Sequence, residues 1–115
     1  MQVVKERIKT VRDKEGRRET CEQQLRRMCK SIAEDIEKPV DDQAASFMEG
    51  TYDIRYYVDS SKRYRGAEIL CAGGGPTIWV DTFREQETGW WGTDRVQLYF
   101  QDNLGLNDYC EEMYG

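Results

Sequence analysis

Apolar residues recur along this chain with two different periods, and the change of period divides it. From about Arg18, Cys21, Leu25, Met28, Cys29, Ile32 and Ile36 fall at i, i+4, i+7, i+8, i+11 and i+15, one stripe of a helix about five turns long. Pro39 ends it, because proline disfavours helical geometry at the residue before it. Asp41 or Asp42 is placed to cap a short second helix over Gln43 to Glu49 that buries Ala44, Phe47 and Met48, with Gly50 as a left-handed terminator. Ahead of both, Val3, Val4, Ile8 and Val11 have helical spacing but a β-branched content that suits a strand equally well. The polar run Asp13 to Arg18 breaks them from the rest.

Beyond Gly50 the period drops to two. Tyr52, Ile54, Tyr56 and Val58 share one face while Asp53, Arg55 and Tyr57 share the other. Asp59 to Lys62 is turn chemistry, and Tyr64 to Ala72 is the returning strand, with Ala67, Ile69 and Cys71 on one side. Gly73-Gly74-Gly75-Pro76 permits a reversal into Thr77 to Thr82, where Ile78 and Val80 face a core and Trp79 and Asp81 face away. After a turn at Arg84-Glu85-Gln86, Glu87 to Gly92 and Arg95 to Phe100 supply further strand, with Gly92-Thr93-Asp94 either a turn or a bulge. Gln101-Asp102-Asn103 caps a last helix carrying Leu104, Leu106, Tyr109, Cys110 and Met113. The pattern predicts an α+β fold: N-terminal helices, a four- to five-stranded antiparallel meander sheet and a C-terminal helix. It reads as one domain over residues 1–115, with 1–16 a candidate for a flexible or separately packed segment.

Composition narrows the class. A chain of 115 residues with 38% hydrophobic and 34% charged residues is a folded domain with a heavily charged surface. No apolar run approaches the roughly 18 residues of a membrane span, and the N-terminus lacks the apolar core of a signal peptide, so a soluble, cytoplasmic protein is expected. Four cysteines match no paired metal motif and there is no histidine to complete a zinc site. Buried reduced thiols are therefore expected, with Cys21, Cys29 and Cys71 on apolar positions. Residues 1–38 carry eleven Lys/Arg against eight Asp/Glu, and residues 39–115 six against fourteen, which together give the net charge of −5. The sheet half is the anionic one.

Candidate chemistry is limited by what is missing. Without histidine, a triad of serine or cysteine with histidine is excluded and the commonest base near neutral pH is absent. Paired carboxylates remain, with Asp81 and Asp94 the pair to test, alone or holding a divalent metal in a hydrolase, although solvated strand ends and turn caps account for them more simply. The glycine run 73–75 lacks the lysine and hydroxyl residue of a phosphate loop and precedes a strand rather than a helix. More informative is the concentration of all three tryptophans and half of the ten glycines into residues 73–92. Adjacent Trp90 and Trp91 cannot both point inward along one strand, so at least one large aromatic of the group Tyr57, Trp79, Trp90, Trp91 and Tyr99 lies on the outer face or an edge, where it is either a contact anchor or part of a second small core. Asp53, Asp81, Glu87 and Asp94 are expected around it.

Gly74 to Thr82, with Gly89-Trp90-Trp91-Gly92-Thr93-Asp94 and the acidic end Asn107 to Tyr114, resembles small accessory proteins carried on phages and mobile elements of gut Firmicutes. The resemblance covers roughly residues 64–114 and contains no catalytic residue. It implies an anti-defence factor of the anti-CRISPR kind, which binds an effector nuclease and often places carboxylates where DNA phosphates should lie.

The expectation is therefore a non-enzymatic, cytoplasmic inhibitor in a bacterial host cell, with no catalytic residue, metal or cofactor. It binds a CRISPR effector through Trp79, Asp81, Trp90, Trp91, Asp94, Asp53, Tyr57 and Glu87, contacts neither membrane nor nucleic acid directly, and is open to dimerisation. The alternative is a nucleic-acid-binding accessory protein using Arg17, Arg18, Arg26, Arg27 and Lys30, since residues 5–30 hold ten Lys/Arg against five Asp/Glu.

Overall fold

The computed structural model describes residues 18–40 and 43–115. They form two helices, α1 (Cys21–Glu37) and α2 (Ala44–Glu49), then five strands, β1 (Asp53–Val58), β2 (Tyr64–Ala72), β3 (Thr77–Asp81), β4 (Gln86–Trp91) and β5 (Asp94–Tyr99), then a closing helix α3 (Leu106–Tyr114). The strands lie in one antiparallel sheet in sequence order, β1-β2-β3-β4-β5. This is the α+β meander that the periods predict. The expectations for residues 1–17, and for Asp41 and Asp42 as caps, fall outside the described residues.

The long helix starts where its chemistry allows. Thr20 and Gln23 make a reciprocal capping box: the Thr20 hydroxyl accepts from the Gln23 N–H at 3.1 Å, and the Gln23 side chain accepts from the Thr20 N–H at 2.8 Å. Leu25, Met28, Cys29, Ile32 and Ile36 are buried, and the leucine, methionine and isoleucines each stabilise the fold by roughly 1.5–3 kcal/mol. Cys21, expected on that stripe, is exposed, because it sits in the first turn with the core one turn further along. Cys29, Cys71 and Cys110 are buried single thiols. The other end of α1 is tied to the chain beyond β5. The Glu37 carbonyl accepts from the Asn103 amide at 2.8 Å, and the Ile36 carbonyl from the Leu104 N–H at 3.0 Å.

Several local expectations need correction. The short helix buries Phe47, with Ala44 and Met48 packed beside it, but Gln43 occupies its N-cap and Gly50 ends it at φ −92°, not left-handed. Tyr52 precedes β1, and Tyr52 and Val58, at the two ends of this edge strand, are exposed. Gly92-Thr93 is a tight turn rather than a bulge, since Trp91 pairs with Asp94 across it, and Gly92 supplies the positive φ of 61° such a turn needs. In α3, Leu106 and Cys110 are buried, whereas Met113 is exposed near the frayed end.

Register fixes the two faces of the sheet. On the inner face lie Ile54, Tyr56, Ala67, Ile69, Ile78, Val80, Glu87, Gly89, Val96 and Leu98, under α1 and α3. The helix α1 sits closest at Gly89, where a Cβ would lie 2.8 Å from the Cys29 sulfur and 3.0 Å from Leu25 Cδ1. The C-terminal helix is seated by Asn107, whose side-chain oxygen accepts from the Tyr64 hydroxyl at 2.9 Å and from the Thr82 hydroxyl at 2.8 Å. Thr82 in turn accepts from the Ala67 N–H at 2.9 Å, so one side-chain chain links α3, β2 and the end of β3.

Candidate functional site

With both packed helices on one side, no described element covers the other face of the sheet. Strand alternation puts three rows there: Asp53, Leu70, Trp79, Thr88 and Gln97; then Arg55, Glu68, Asp81, Gln86 and Tyr99; and, at the β3–β5 end, Thr77, Trp90 and Arg95. Tyr99 is 73% exposed, Phe83 50% and Trp90 40%, so large rings stand in solvent on a flat surface.

The turn after β3 builds one end of this face. Asp81 holds it: one carboxylate oxygen accepts from the N–H groups of Phe83 (2.9 Å) and Arg84 (3.0 Å), and the other from the Arg84 guanidinium (2.9 Å) and the Tyr57 hydroxyl (3.3 Å). Phe83 is thereby folded back across β2 at Gly66, where a Cβ would lie 2.5 Å from Phe83 Cβ. A side chain at position 66 would lift the ring off the sheet. Phe83 meets Tyr57 edge-on, with centroids 6.5 Å apart.

Arginines lie against these rings. The guanidinium carbon of Arg55 is 4.6 Å from the Trp79 ring centre, that of Arg84 5.9 Å from Tyr57, that of Arg65 5.9 Å from Phe83 and that of Arg95 6.0 Å from Trp90. Each contact of this kind is a weak attraction between the cation and the ring face that restricts a long side chain. Between them is a shallow depression of about 250 Å³ lined by Trp79, Thr88, Trp90, Arg95 and Gln97 among others.

Five of the eight expected contact residues are thus gathered on this face: Asp53, Tyr57, Trp79, Asp81 and Trp90. The other three are not. Glu87 pairs with Val80 and Leu98, which turns it inward, and it is fully buried beneath α1. Trp91 and Asp94 pair with each other on the inner side, with Trp91 packed against the core. Asp81 and Asp94 therefore do not form a carboxylate pair: Asp81 lies opposite Gln86 and Asp94 opposite Trp91, at the two ends of β4 and on opposite faces. Among the described residues no three His, Cys, Asp or Glu side chains are grouped to hold a metal ion.

The anionic outer face expected from the charge of residues 39–115 is also corrected. Arg55, Arg65, Arg84 and Arg95 share it with Asp53, Glu68 and Asp81, so the charges are mixed with a slight positive balance. The acidic excess lies elsewhere, for instance on α3, which carries Asp108, Glu111 and Glu112 and no basic residue. The arginines could have been found from the same alternation that found the rings, since Arg55 and Arg95 each occupy an outward position of a strand.

Of the basic set, Arg17 lies outside the described residues and Arg18 is exposed. Arg27 pairs with Glu19 at 3.2 Å and Arg26 with Glu22 at 3.4 Å, and together with Lys30 they line the surface of α1 away from the sheet. Carboxylates partly neutralise that stripe.

Burial dominates the titration of the groups that anchor the fold. Cys29 is pushed up to about 12 by burial and then by the Glu87 charge, against the opposing Arg26, and Cys110 to about 11 by burial and Asp102. Tyr57 rises to about 12 through burial and the charges of Asp81 and Glu68, and Tyr64 to about 12, chiefly by burial. In every case the folded pKa lies above the ordinary thiol value of 9.0 or phenol value of 10.0, so the fold favours the neutral form. That stabilisation is complete below about pH 9 and is lost as pH rises toward 12. Urea midpoints should fall across that alkaline window, with tyrosinate absorbance showing a late-titrating fraction. Midpoints unchanged up to pH 12 would contradict this.

No protein-family model matches the chain, and comparison with curated proteins and with solved structures finds no match. No helix among the described residues is long and apolar enough to cross a membrane.

Proposed function

We propose that this protein acts by binding another protein rather than by catalysis, as a small inhibitor that docks through the open face of its sheet. The observation that carries the reading is the combination of exposed Trp90, Tyr99 and Phe83 with arginines beside the rings of Trp79 and Trp90 on one uncovered surface. Tryptophan, tyrosine and arginine are the residues that dominate the energetics of protein interfaces. The resemblance supplies the partner class, a CRISPR effector encountered in the cytoplasm of a bacterial host. The mixed charge of the face fits blocking of a protein surface better than mimicry of DNA phosphates.

The test is an immunity assay with a paired structural control. Expression of the chain should protect phage or plasmid against at least one CRISPR type, and Trp90→Ala with Tyr99→Ala should abolish protection by tenfold or more while thermal unfolding changes little, because both rings are solvent-facing. Failure to protect against any CRISPR type would overturn the partner class. Full protection by the double variant would move the contact off this face.

A further inference from the structure

We infer that the open face recognises a carboxylate-bearing segment of its protein partner, seated against the guanidinium groups of Arg55 and Arg95 beside Trp79 and Trp90. This rests on the protein-binding reading and specifies the chemistry of what is bound. A guanidinium beside an indole still presents an N–H fork that matches the two oxygens of a carboxylate. Contact with the ring, at 4.6 Å for Arg55 and 6.0 Å for Arg95, also restricts the side chain before binding, so less freedom is lost when the contact forms.

Arg55 and Arg95 are the two placed for this. Arg55 makes one loose ion pair, with Asp53 at 3.9 Å and both side chains more than half exposed, and lies across the strands from Glu68; Arg95 has no salt bridge among the described residues. Arg84, by contrast, is already committed to Asp81 at 2.9 Å. The depression beside Arg95 is lined by Thr88, Gln86 and Gln97, whose hydroxyl and amide groups can donate to a second oxygen or to backbone carbonyls of an extended segment, and also by Glu68 and by Asp81, the latter paired with Arg84. The face carries four arginines against three carboxylates on a chain whose net charge is −5, so an acidic partner segment meets less repulsion here than the net charge implies.

The same geometry disfavours single-stranded nucleic acid. Bases stack on bare rings, but the Trp79 ring already has Arg55 over it at 4.6 Å. Glu68 pairs across the strands with both Arg55 and Asp81, so a backbone bearing a charge on every nucleotide meets carboxylates within the same row. An acidic protein segment, with neutral residues between its carboxylates, avoids them.

The experiment is a titration of the whole chain followed by tryptophan emission, with three probes: a synthetic peptide of alternating glutamate and glycine, its lysine counterpart and oligothymidylate. The glutamate peptide should perturb the emission, bind more weakly as salt is raised, and lose roughly tenfold in affinity in Arg55→Gln/Arg95→Gln, whose far-UV spectrum should be unchanged. Equal binding of the lysine peptide, or no response to the glutamate peptide, overturns the inference, and tighter binding of oligothymidylate assigns the face to nucleic acid instead. The parent reading is separated by the immunity assay. Loss of protection in Trp90→Ala/Tyr99→Ala but not in Arg55→Gln/Arg95→Gln leaves a protein-binding face whose partner contact is not a carboxylate.

Discussion

Replacing Gly89 by alanine is expected to destabilise the fold by about 1–3 kcal/mol, the range for overpacking a close-packed interior, which for a domain of this size lowers the melting temperature by several degrees. The reason is the seat of α1. The added Cβ would be 2.8 Å from the Cys29 sulfur, 3.0 Å from Leu25 Cδ1 and 3.3 Å from Ile78 Cγ1, so helix and sheet must separate or the side chains must leave their rotamers. Cys29→Ala removes the nearest obstacle. The double variant Gly89→Ala/Cys29→Ala should therefore be more stable than the sum of the two single changes, by an interaction of about 0.5–3 kcal/mol in a double-mutant cycle measured by urea unfolding. Strict additivity would show that the helix is not pressed onto this glycine.

Asp102 carries the second large effect. Its carboxylate accepts from the N–H groups of Gly105 at 3.0 Å, Leu106 at 2.8 Å and Asn107 at 2.9 Å, and so satisfies the donors that the first turn of α3 leaves open. Asp102→Ala should cost about 2 kcal/mol, at the upper end for a lost cap because three donors lose one acceptor group together. Asp102→Asn, which keeps one acceptor oxygen, should fall between. Amide exchange of α3 should accelerate before that of β3 and β4, since the helix is held to the sheet mainly through Leu106, Cys110 and the Asn107 network. An Asp102→Ala variant as stable as the parent would remove the capping role.

The periodicities made the architecture legible because each element buries one face against a single core: Leu25 to Ile36 at helical spacing, then Ile69, Ile78, Val80 and Val96 at alternating positions. The acid at the start of the last helix was legible too, as turn chemistry before an apolar run. What could not be read was parity. Glu87 and Trp91, four residues apart, share one face and Trp90 takes the other, but which of the two faces is the inner one depends on register, and a change of one position reverses every side chain. Net charge misled for a related reason: a sum over residues 39–115 does not say on which surface each charge stands, and the acidic residues of α3 belong to a helix packed on the inner side of the sheet while Arg55 and Arg95 stand on the outer face. The Thr20–Gln23 box shows the reverse case, a readable signal in Thr-Cys-Glu-Gln that marks the helix start more sharply than the apolar stripe, whose first member Cys21 is exposed.

The order of the elements has a bearing on how the chain acquires its structure. Each strand pairs with its neighbour in sequence, so the hairpins can close locally and quickly, whereas α1, made first, packs mainly on β4 and β5, made nearly last. During synthesis its apolar stripe has no surface to dock on until the final hairpin has left the ribosome. The early helix is then a stretch that chaperones or proteases can reach, and a ribosome stalled before Val96 would present it to them indefinitely.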